Sequence, residues 1–439
     1  MRSEQAIPNQ FNGPMQSEAW EATVGTYSIH VLGCKVNQYE AAQIARWLES
    51  RGMRPAQEGE SADLVVVHTC GVTTAAVRES RELLRAAQRT ASQGVIVSGC
   101  AVEDLRGHAN EVLAVPSGPG WAARFQECLE QKLGLRPRRE LGLFRFPNHT
   151  RAFLKVQDGC DLRCTYCVVP LRRGRSHDRP LEEVLAEARG WIQAGHRELV
   201  VSGVNVGLWG RRRGHSLDEL VAALLELPGL ERLRLSSLHP RDLTDRLLGV
   251  LASSPRAMPQ IHLPLQSGSD AVLRAMRRGY TVRQYLEAVE RARRWLDEPA
   301  FTTDIIVGFP GETEEDFDAT LNVARQVGFS RIHMFPFAPR PGTPAATAPD
   351  PVPPAVVKER MRSLKELAAD LARRAHKQWC GRSVCVLVEE WKDGIAGGYS
   401  ERYMPVRFAA RSSLVGTVAV VQVESADERG LYGHGLRAP

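Results

Sequence analysis

Three cysteines in the run GCDLRCTYC, Cys160, Cys164 and Cys167, are separated by three and two intervening residues ahead of an apolar segment. Thiols grouped in this way can hold zinc, pair as disulfides, or carry an iron–sulfur cluster. A structural zinc site takes four ligands, usually in two pairs. This run supplies three, and no fourth cysteine or histidine lies at local spacing; His177 comes later, in the arginine-rich run RRGRSHDRP. An iron–sulfur cubane normally uses four thiolates, so three leave one iron open to a ligand from outside the protein. In a catalytic cluster that vacancy is the useful feature.

Three more cysteines share a different pattern. Cys34, Cys70 and Cys100 close the runs YSIHVLGC, ADLVVVHTC and GVIVSGC, each short, apolar and rich in β-formers. Helix-like segments lie between them, around QYEAAQIARWLESRG and TAAVRESRELLRAAQRT. Strand, helix, strand, helix, strand is the signature of a parallel sheet with crossover helices, and the intervals suit βαβ units of about 30 residues. Ligands of such sheets bind outside the carboxyl ends of the strands. The three thiols are therefore expected to converge as a three-thiolate metal site; three buried core thiols are the plainer alternative. Cys128, in the helical-looking WAARFQECLEQKLG, reads as a small core residue.

The whole chain sets the frame for these groups. Its 439 residues suggest two to four domains. An apolar share of 43% and a charged share of 25% are ordinary for a globular protein. No apolar run approaches the ~20 residues of a membrane helix, and no secretory signal is recognisable, so a cytoplasmic protein without membrane attachment is expected. In a reducing compartment, grouped thiols among nine cysteines point to metal or catalysis before disulfides. The net charge of +6 permits a polyanionic partner without requiring one.

The expected organisation is α/β with a small β-barrel at the end. Residues 1–24 read as a flexible extension, 25–135 as the parallel α/β domain, and 136–150 as a linker. Across 151–375, six candidate strands alternate with helices: AFLKVQDGC, RELVVSGVNV, ERLRLSSLHP, PQIHLPLQSG, TTDIIVGFPGE and SRIHMFPFAPR. That series fits a (β/α) barrel or a large part of one, a partial TIM barrel, whose chemistry sits at the carboxyl ends of the strands. GCDLRCTYC follows the first strand. Residues 376–439 carry the short strands SVCVLVEEW, YMPVRFA, LVGTVAVVQVESA and LYGHG, an OB-like small barrel of a kind that commonly binds nucleic acid.

CDLRCTYC resembles the CxxxCxxC motif of radical S-adenosylmethionine enzymes, with aromatic Tyr166 before the last cysteine. GCKVNQYE, HTCGVT and SGCAVE resemble the three cysteine segments of the methylthiotransferases within that group. So do HLPLQSGSDAVLRAMRRGY, TTDIIVGFPGETEEDF and PFAPRPGTPA, and the final barrel resembles their TRAM domain. The resemblance runs from about Tyr27 to about Gly433. It implies that Cys160, Cys164 and Cys167 hold a [4Fe–4S] cluster whose open iron chelates S-adenosylmethionine, and that Cys34, Cys70 and Cys100 hold a second [4Fe–4S] cluster that accepts the sulfur to be transferred. One S-adenosylmethionine would supply a radical that removes hydrogen from C2 of an adenine, and another the methyl group. That hydrogen is not acidic, so a base could not activate the bond, which accounts for a chain poor in acid–base pairs and rich in cysteine. GCKVNQYE is most similar to the subfamily that methylthiolates N6-threonylcarbamoyladenosine, at position 37 in the anticodon region of tRNA. Another tRNA adenosine or a ribosomal protein side chain is the alternative substrate. An RNA-binding adaptor with structural clusters is the alternative of a different class. A reducing donor such as a flavodoxin or ferredoxin is the implied partner.

In one place the chain departs from the family pattern. His68 stands where asparagine is usual, and it is expected either to hydrogen-bond near the cluster or to be a surface substitution. Ser202, Gly203 and Asn205 end the second barrel strand where the family contacts the amino-acid part of its cofactor. Ser236 and Ser237 end the third, Gln266 follows the fourth, and Asp304 lies in the fifth. Each could equally be a cap or turn residue. Gly308 to Gly311 reads as a strand-to-helix turn needing unusual backbone angles. The clusters Arg172, Arg173, Arg175 and Arg211 to Arg213 could meet tRNA phosphates or simply be solvated. Cys380 and Cys385 are expected to pack inside the final barrel.

Overall fold

The computed structural model describes residues 25–107, 112–138, 146 and 149–436. The expected extension 1–24 lies outside the described residues, as do most positions of the expected linker 136–150. The chain forms two compact units. One comprises the chain to Phe144 together with Val168–Arg175; the other comprises Arg145–Cys167 and Ser176–Pro439. The short segment Val168–Arg175, inside the stretch expected to belong with the barrel, thus packs with the first unit.

In the first unit, β1 (Thr26–Val31), β2 (Arg54–Pro55), β3 (Leu64–Thr69), β4 (Gly94–Gly99) and β5 (Leu113–Pro116) form one sheet in the order β2-β1-β3-β4-β5. All four pairings are parallel. Helices α1 (Lys35–Ser50), α2 (Thr74–Thr90) and α3 (Trp121–Glu127) cover it, and α4 (Val169–Arg173) joins from later in the chain. Every residue of β3, LVVVHT, is buried, as a central parallel strand covered on both faces requires. Its alternate residues enter separate cores. Leu64 and Val66 meet Ile44, Leu48, Trp121 and Phe125 on one face; Val65 and Val67 meet Leu84, Val95 and Leu105 on the other. Past α3 the helix widens into a π-turn over Cys128–Lys132, and Cys128 is half-buried against the first core.

In the second unit, the six expected strands are β6 (Arg151–Lys155), β9 (Glu198–Ser202), β10 (Arg232–Leu235), β11 (Gln260–His262), β12 (Ala300–Val307) and β13 (Arg331–Pro336). They form two parallel three-stranded sheets, β10-β9-β6 and β11-β12-β13. The Leu238 N–H donates to the His262 carbonyl (3.0 Å) and links the two edges. Helices α5 (Leu181–Gln193) through α10 (Glu314–Val327) alternate with the strands. A short antiparallel ribbon pairs β7 (Gln157–Asp158) with β8 (His177–Asp178), and the cysteine loop lies between its two strands. Gly308 (φ +77°) and Gly311 (φ +80°) make the expected left-handed turn.

Helix α11 (Pro354–Lys377) leads to a closed barrel of β14 (Ser383–Lys392), β15 (Ile395–Ser400), β16 (Pro405–Ala409), β17 (Val418–Ala426) and β18 (Leu431–Gly435), in the order β14-β15-β16-β18-β17. Cys380 and Cys385 are exposed rather than packed within it. Odd and even positions of β14 face opposite sides, and the odd-numbered thiol at 385 falls on the outer face. The barrel is fixed to the starts of the parallel strands. Arg232 donates to the carbonyls of Cys385 (3.1 Å) and Ser400 (2.9 Å). Arg151 pairs with Glu389 and lies over the rings of Tyr399 and Tyr403. Among the described residues no helix is long and apolar enough to cross a membrane.

Candidate functional site

Each unit carries its own cysteine group. In the second, β6 runs through Val156 into β7 and then into the loop holding Cys160, Cys164 and Cys167. Gln157 braces its base. Its side-chain amide donates to the carbonyls of Asp158 (2.8 Å) and Gly159 (2.7 Å) and to Ser176 Oγ (2.9 Å), while its Oε1 accepts the Asn205 N–H (2.8 Å). The middle of the loop is tied by Thr165, whose N–H and hydroxyl donate to the carbonyls of Met276 (3.1 Å) and Ala275 (2.9 Å). Cys164 is buried, and Cys160 and Cys167 are half-buried. Burial pushes the Cys160 thiol up, against the Leu162 N–H and the Asn205 side chain. Arg278 Nη1 lies 3.4 Å from both Cys164 Sγ and Tyr166 Oη, and its guanidinium stands over the Tyr280 ring.

The polar residues expected around this loop differ in role. Gly203 sits so close to Gln157 that a Cβ would fall 3.0 Å from its carbonyl and side-chain oxygens. Asn205 is buried and adjoins Cys160. Ser202 is fully buried and donates to the Val200 carbonyl (3.0 Å), a local bond that occupies its hydroxyl. Ser236 is also buried, and its hydroxyl has no partner among the described residues; Ser237 is partly exposed. Gln266 holds a left-handed backbone (φ +67°), fixed by its N–H to the Asp304 carbonyl (2.8 Å) and by the Ile306 N–H to its own carbonyl (3.0 Å). A non-glycine residue held in this region marks strain imposed by its surroundings. Asp304 Oδ2 is 3.4 Å from His262 Nε2. Arg278, Tyr280, Gln157 and His262 were not singled out from the sequence. Arg278, Tyr280 and His262 lie within the quoted run HLPLQSGSDAVLRAMRRGY, and Gln157 immediately precedes the cysteine loop.

In the first unit, Cys34 caps α1 directly after β1, while Cys70 and Cys100 follow β3 and β4. The loops interlock. A Cβ on Gly33 (φ +100°) would lie 2.8 Å from Cys70 Sγ, and one on Gly71 would lie 2.7 Å from the Cys100 carbonyl. Cys34 is exposed; Cys70 and Cys100 are buried. Burial pushes the Cys70 thiol up to about 11 and raises that of Cys100, the latter against the adjacent Arg173. Among the described residues no three histidine, cysteine or carboxylate side chains gather closely enough to share one metal ion. The thiolates of a four-iron cluster each bind a different iron, so its ligands stand apart.

The arginines are placed otherwise than expected. Arg173 is buried and unavailable to phosphates. Its Nη1 and Nη2 donate to Glu40 (2.8 and 3.0 Å), Nη2 to Asn37 Oδ1 (2.7 Å), and Nε to Cys100 Sγ (3.1 Å). Arg172 pairs with Asp104 (3.1 Å); Arg175 remains exposed. Arg211 and Arg212 are exposed but engage Asp242 and Asp161, both at 2.8 Å, beside exposed Arg213. His68 is no surface substitution. It is fully buried, with Nε2 3.1 Å from Glu40 Oε2, the carboxylate that also holds Arg173. A cavity of about 700 Å³ opens elsewhere, against the final barrel, lined by Thr150, Glu389, Tyr399 and Arg407. It holds none of the residues above except as neighbours of Arg151.

Residues 154–324 match the Radical SAM superfamily, and residues 26–115 match the uncharacterized protein family UPF0004. The threonylcarbamoyladenosine tRNA methylthiotransferase MtaB of Chlamydia pneumoniae is 36% identical, covering 93% of this chain and 98% of its own. A tRNA-2-methylthio-N(6)-dimethylallyladenosine synthase of Thermobifida fusca is 37% identical over 83% of this chain and 78% of its own. Among solved structures, the radical S-adenosylmethionine methyltransferase TsrM from Kitasatospora setae superposes with a TM-score of 0.55 at 15% identity, over 74% of this chain and 75% of that one. That likeness is one of fold: parallel α/β sheets, to which this chain adds a closed five-stranded barrel like a TRAM domain.

Proposed function

Because the chain belongs to the radical S-adenosylmethionine methylthiotransferase family, and is on that ground a transferase, we propose that it places a methylthio group on a tRNA adenosine, N6-threonylcarbamoyladenosine at position 37. The observation that carries this reading is the presence of two separate three-cysteine groups, each at the carboxyl ends of parallel strands. In this reading residues 25–135 form the methylthiotransferase domain, 151–375 the radical domain, and 376–439 the TRAM domain that holds tRNA. Cys160, Cys164 and Cys167 hold one [4Fe–4S] cluster, and Cys34, Cys70 and Cys100 the second. The first, with S-adenosylmethionine bound, supplies one-electron cleavage of the sulfonium and hence a hydrogen-abstracting radical.

The donor sets suit these groups. Three thiols on one braced loop, with a guanidinium N–H beside Cys164, match a cluster that leaves one iron free. The unpartnered Ser236 hydroxyl, with Gly203, Asn205, Ser237, Gln266 and Asp304, supplies polar groups for the cofactor, and Ser202 supports them from beneath. Arg278 holds a positive charge against Cys164 and orients Tyr166. The strained Gln266 is prepositioned by two backbone bonds rather than by its ligand. A flavodoxin or ferredoxin supplies the electron, and the cytoplasm is the expected compartment.

The test is anaerobic. The reconstituted protein receives reductant, S-adenosylmethionine, and tRNA bearing threonylcarbamoyl-, dimethylallyl- or unmodified adenosine. The digested nucleosides are then weighed. A methylthio mass gain confined to the threonylcarbamoyl nucleoside is expected; a gain on the dimethylallyl nucleoside instead would overturn the substrate assignment. A second expectation concerns Gly33. Gly33→Ala puts a methyl group against Cys70 on a left-handed backbone, at a cost of about 1 kcal/mol or more. Iron content should fall from about eight to about four per chain, as loss of one cubane requires. Unchanged iron would separate Cys70 from the cluster site.

A further inference from the structure

We infer that Arg173 is a positioning residue that sets the reduction potential of the group held by Cys34, Cys70 and Cys100. The inference rests on the reading that these thiolates hold an iron–sulfur cluster. The physical argument begins with burial. A guanidinium only 2% exposed is costly unless its charge and its N–H groups are matched. Glu40, 1% exposed, supplies the countercharge through a two-pronged contact, and Asn37 accepts a third bond. Asn37 is itself fixed, its amide donating to the carbonyls of Leu32 (2.8 Å) and Thr69 (2.9 Å), the residues just before Gly33–Cys34 and Cys70. His68 Nε2 meets Glu40 Oε2, the oxygen that Arg173 Nη2 also contacts. With both terminal nitrogens engaged, the planar fork directs Nε–H at Cys100 Sγ, 3.1 Å away.

Two influences on a cluster follow from this arrangement. An N–H donated to a ligating sulfur and a nearby positive charge both favour the reduced, more negative state, and so raise the potential. Arg173 also reaches this site from the segment that follows Cys167, so the residue that governs the second cysteine group is encoded beside the first. Nothing in the sequence marks it apart from Arg172 and Arg175. Only the fold separates the buried guanidinium from half-buried Arg172 and exposed Arg175.

The experiment isolates the second group. In a chain with Cys160, Cys164 and Cys167 all changed to alanine, reconstitution should leave about four irons per chain, the complement of one cubane. Redox titration followed by electron paramagnetic resonance then gives its midpoint potential. Arg173→Lys keeps a cation for Glu40 and should fold and bind iron normally, but it cannot serve Glu40, Asn37 and Cys100 together. Its midpoint should fall and its resonance should change. Arg173→Gln, which removes the charge as well, should lower the midpoint further where it folds. An Arg173→Lys protein with full iron and an unshifted midpoint would overturn the inference while leaving the second cluster standing. Absence of iron from the triple-alanine chain would instead overturn the cluster reading, and the inference with it.

Discussion

Cys164→Ala should yield a folded protein that releases no 5′-deoxyadenosine and makes no methylthiolated nucleoside. The side chain is buried, but removing one sulfur costs only about 1 kcal/mol, the order of one buried methylene. The loop does not depend on the thiol for its shape. Thr165 ties it to Met276 and Ala275, and the Ala345 N–H donates back to the Thr165 carbonyl (2.9 Å). Gln157 holds its base independently. Folding and tRNA affinity should therefore survive, with iron falling to about four per chain. The contrast between intact binding and absent turnover separates an enzyme from an RNA-binding adaptor with structural clusters. Product formed by the alanine variant would sink the assignment of this loop as the radical centre.

Glu198→Gln should be the most destabilising conservative change in the second unit. Glu198 begins β9 and is 1% exposed. Arg234 Nε donates to its Oε1 at 3.0 Å. Arg232 Nε stands 2.8 Å from Oε2 but off the line of a hydrogen bond, so that contact is mainly one of charge. Burial alone would raise the carboxyl, yet Arg234, Arg232 and Arg151 together hold it down at about 2. Because the folded value lies below the ordinary carboxylate value of about 4.3, its contribution is complete above that pH and is lost only as pH falls toward 2. Glutamine removes the charge at every pH and strands two buried guanidinium groups, costing about 3–5 kcal/mol. At this size that lowers the melting temperature by about 10 °C. Since Arg232 also bonds the Cys385 and Ser400 carbonyls, the final barrel should become more sensitive to protease at the same time. A melting temperature within a degree of the parent would show that the arginines are stabilised some other way.

The parts of this molecule that could be read from sequence are those where a local pattern matches its three-dimensional role. The run at Leu64–Thr69 is apolar throughout and becomes a central strand buried on both faces. TAAVRESRELLRAAQRT is a helix over its entire length, with Thr73 capping it through the Ala76 N–H. The strand IAGGYS escaped because two glycines in succession read as a turn. They are needed there, since a side chain at Gly398 would collide with the Leu387 carbonyl and one at Gly397 with Glu390. The cysteines at the strand ends stood out because topology brings strand ends together. Charge was less legible. Three arginines close in sequence divide into a buried ion pair, a half-buried pair and an exposed side chain, and only the carboxylates at Glu40 and Asp104, distant in the chain, decide which is which. Cys385 shows the same limit, for a strand pattern gives alternation without saying which side faces in, and Cys380 falls in the turn before that strand.

The excursion of Val168–Arg175 into the first unit bears on how such proteins can be recombined. The chain visits one unit, enters the other, returns briefly and leaves again, so no single cut divides it into two self-sufficient halves. A fragment ending before the linker would keep Glu40 and His68 in its interior with no guanidinium to neutralise them. A hybrid joined at the linker from two relatives would set one lineage's Glu40 against another's counterpart of Arg173. An exchange of the sheet alone would therefore leave one cysteine group's buried counterion encoded beside the other, and an exchange keeps the Glu40–Arg173 pair of this chain intact only if it carries the short return passage along with the sheet it enters.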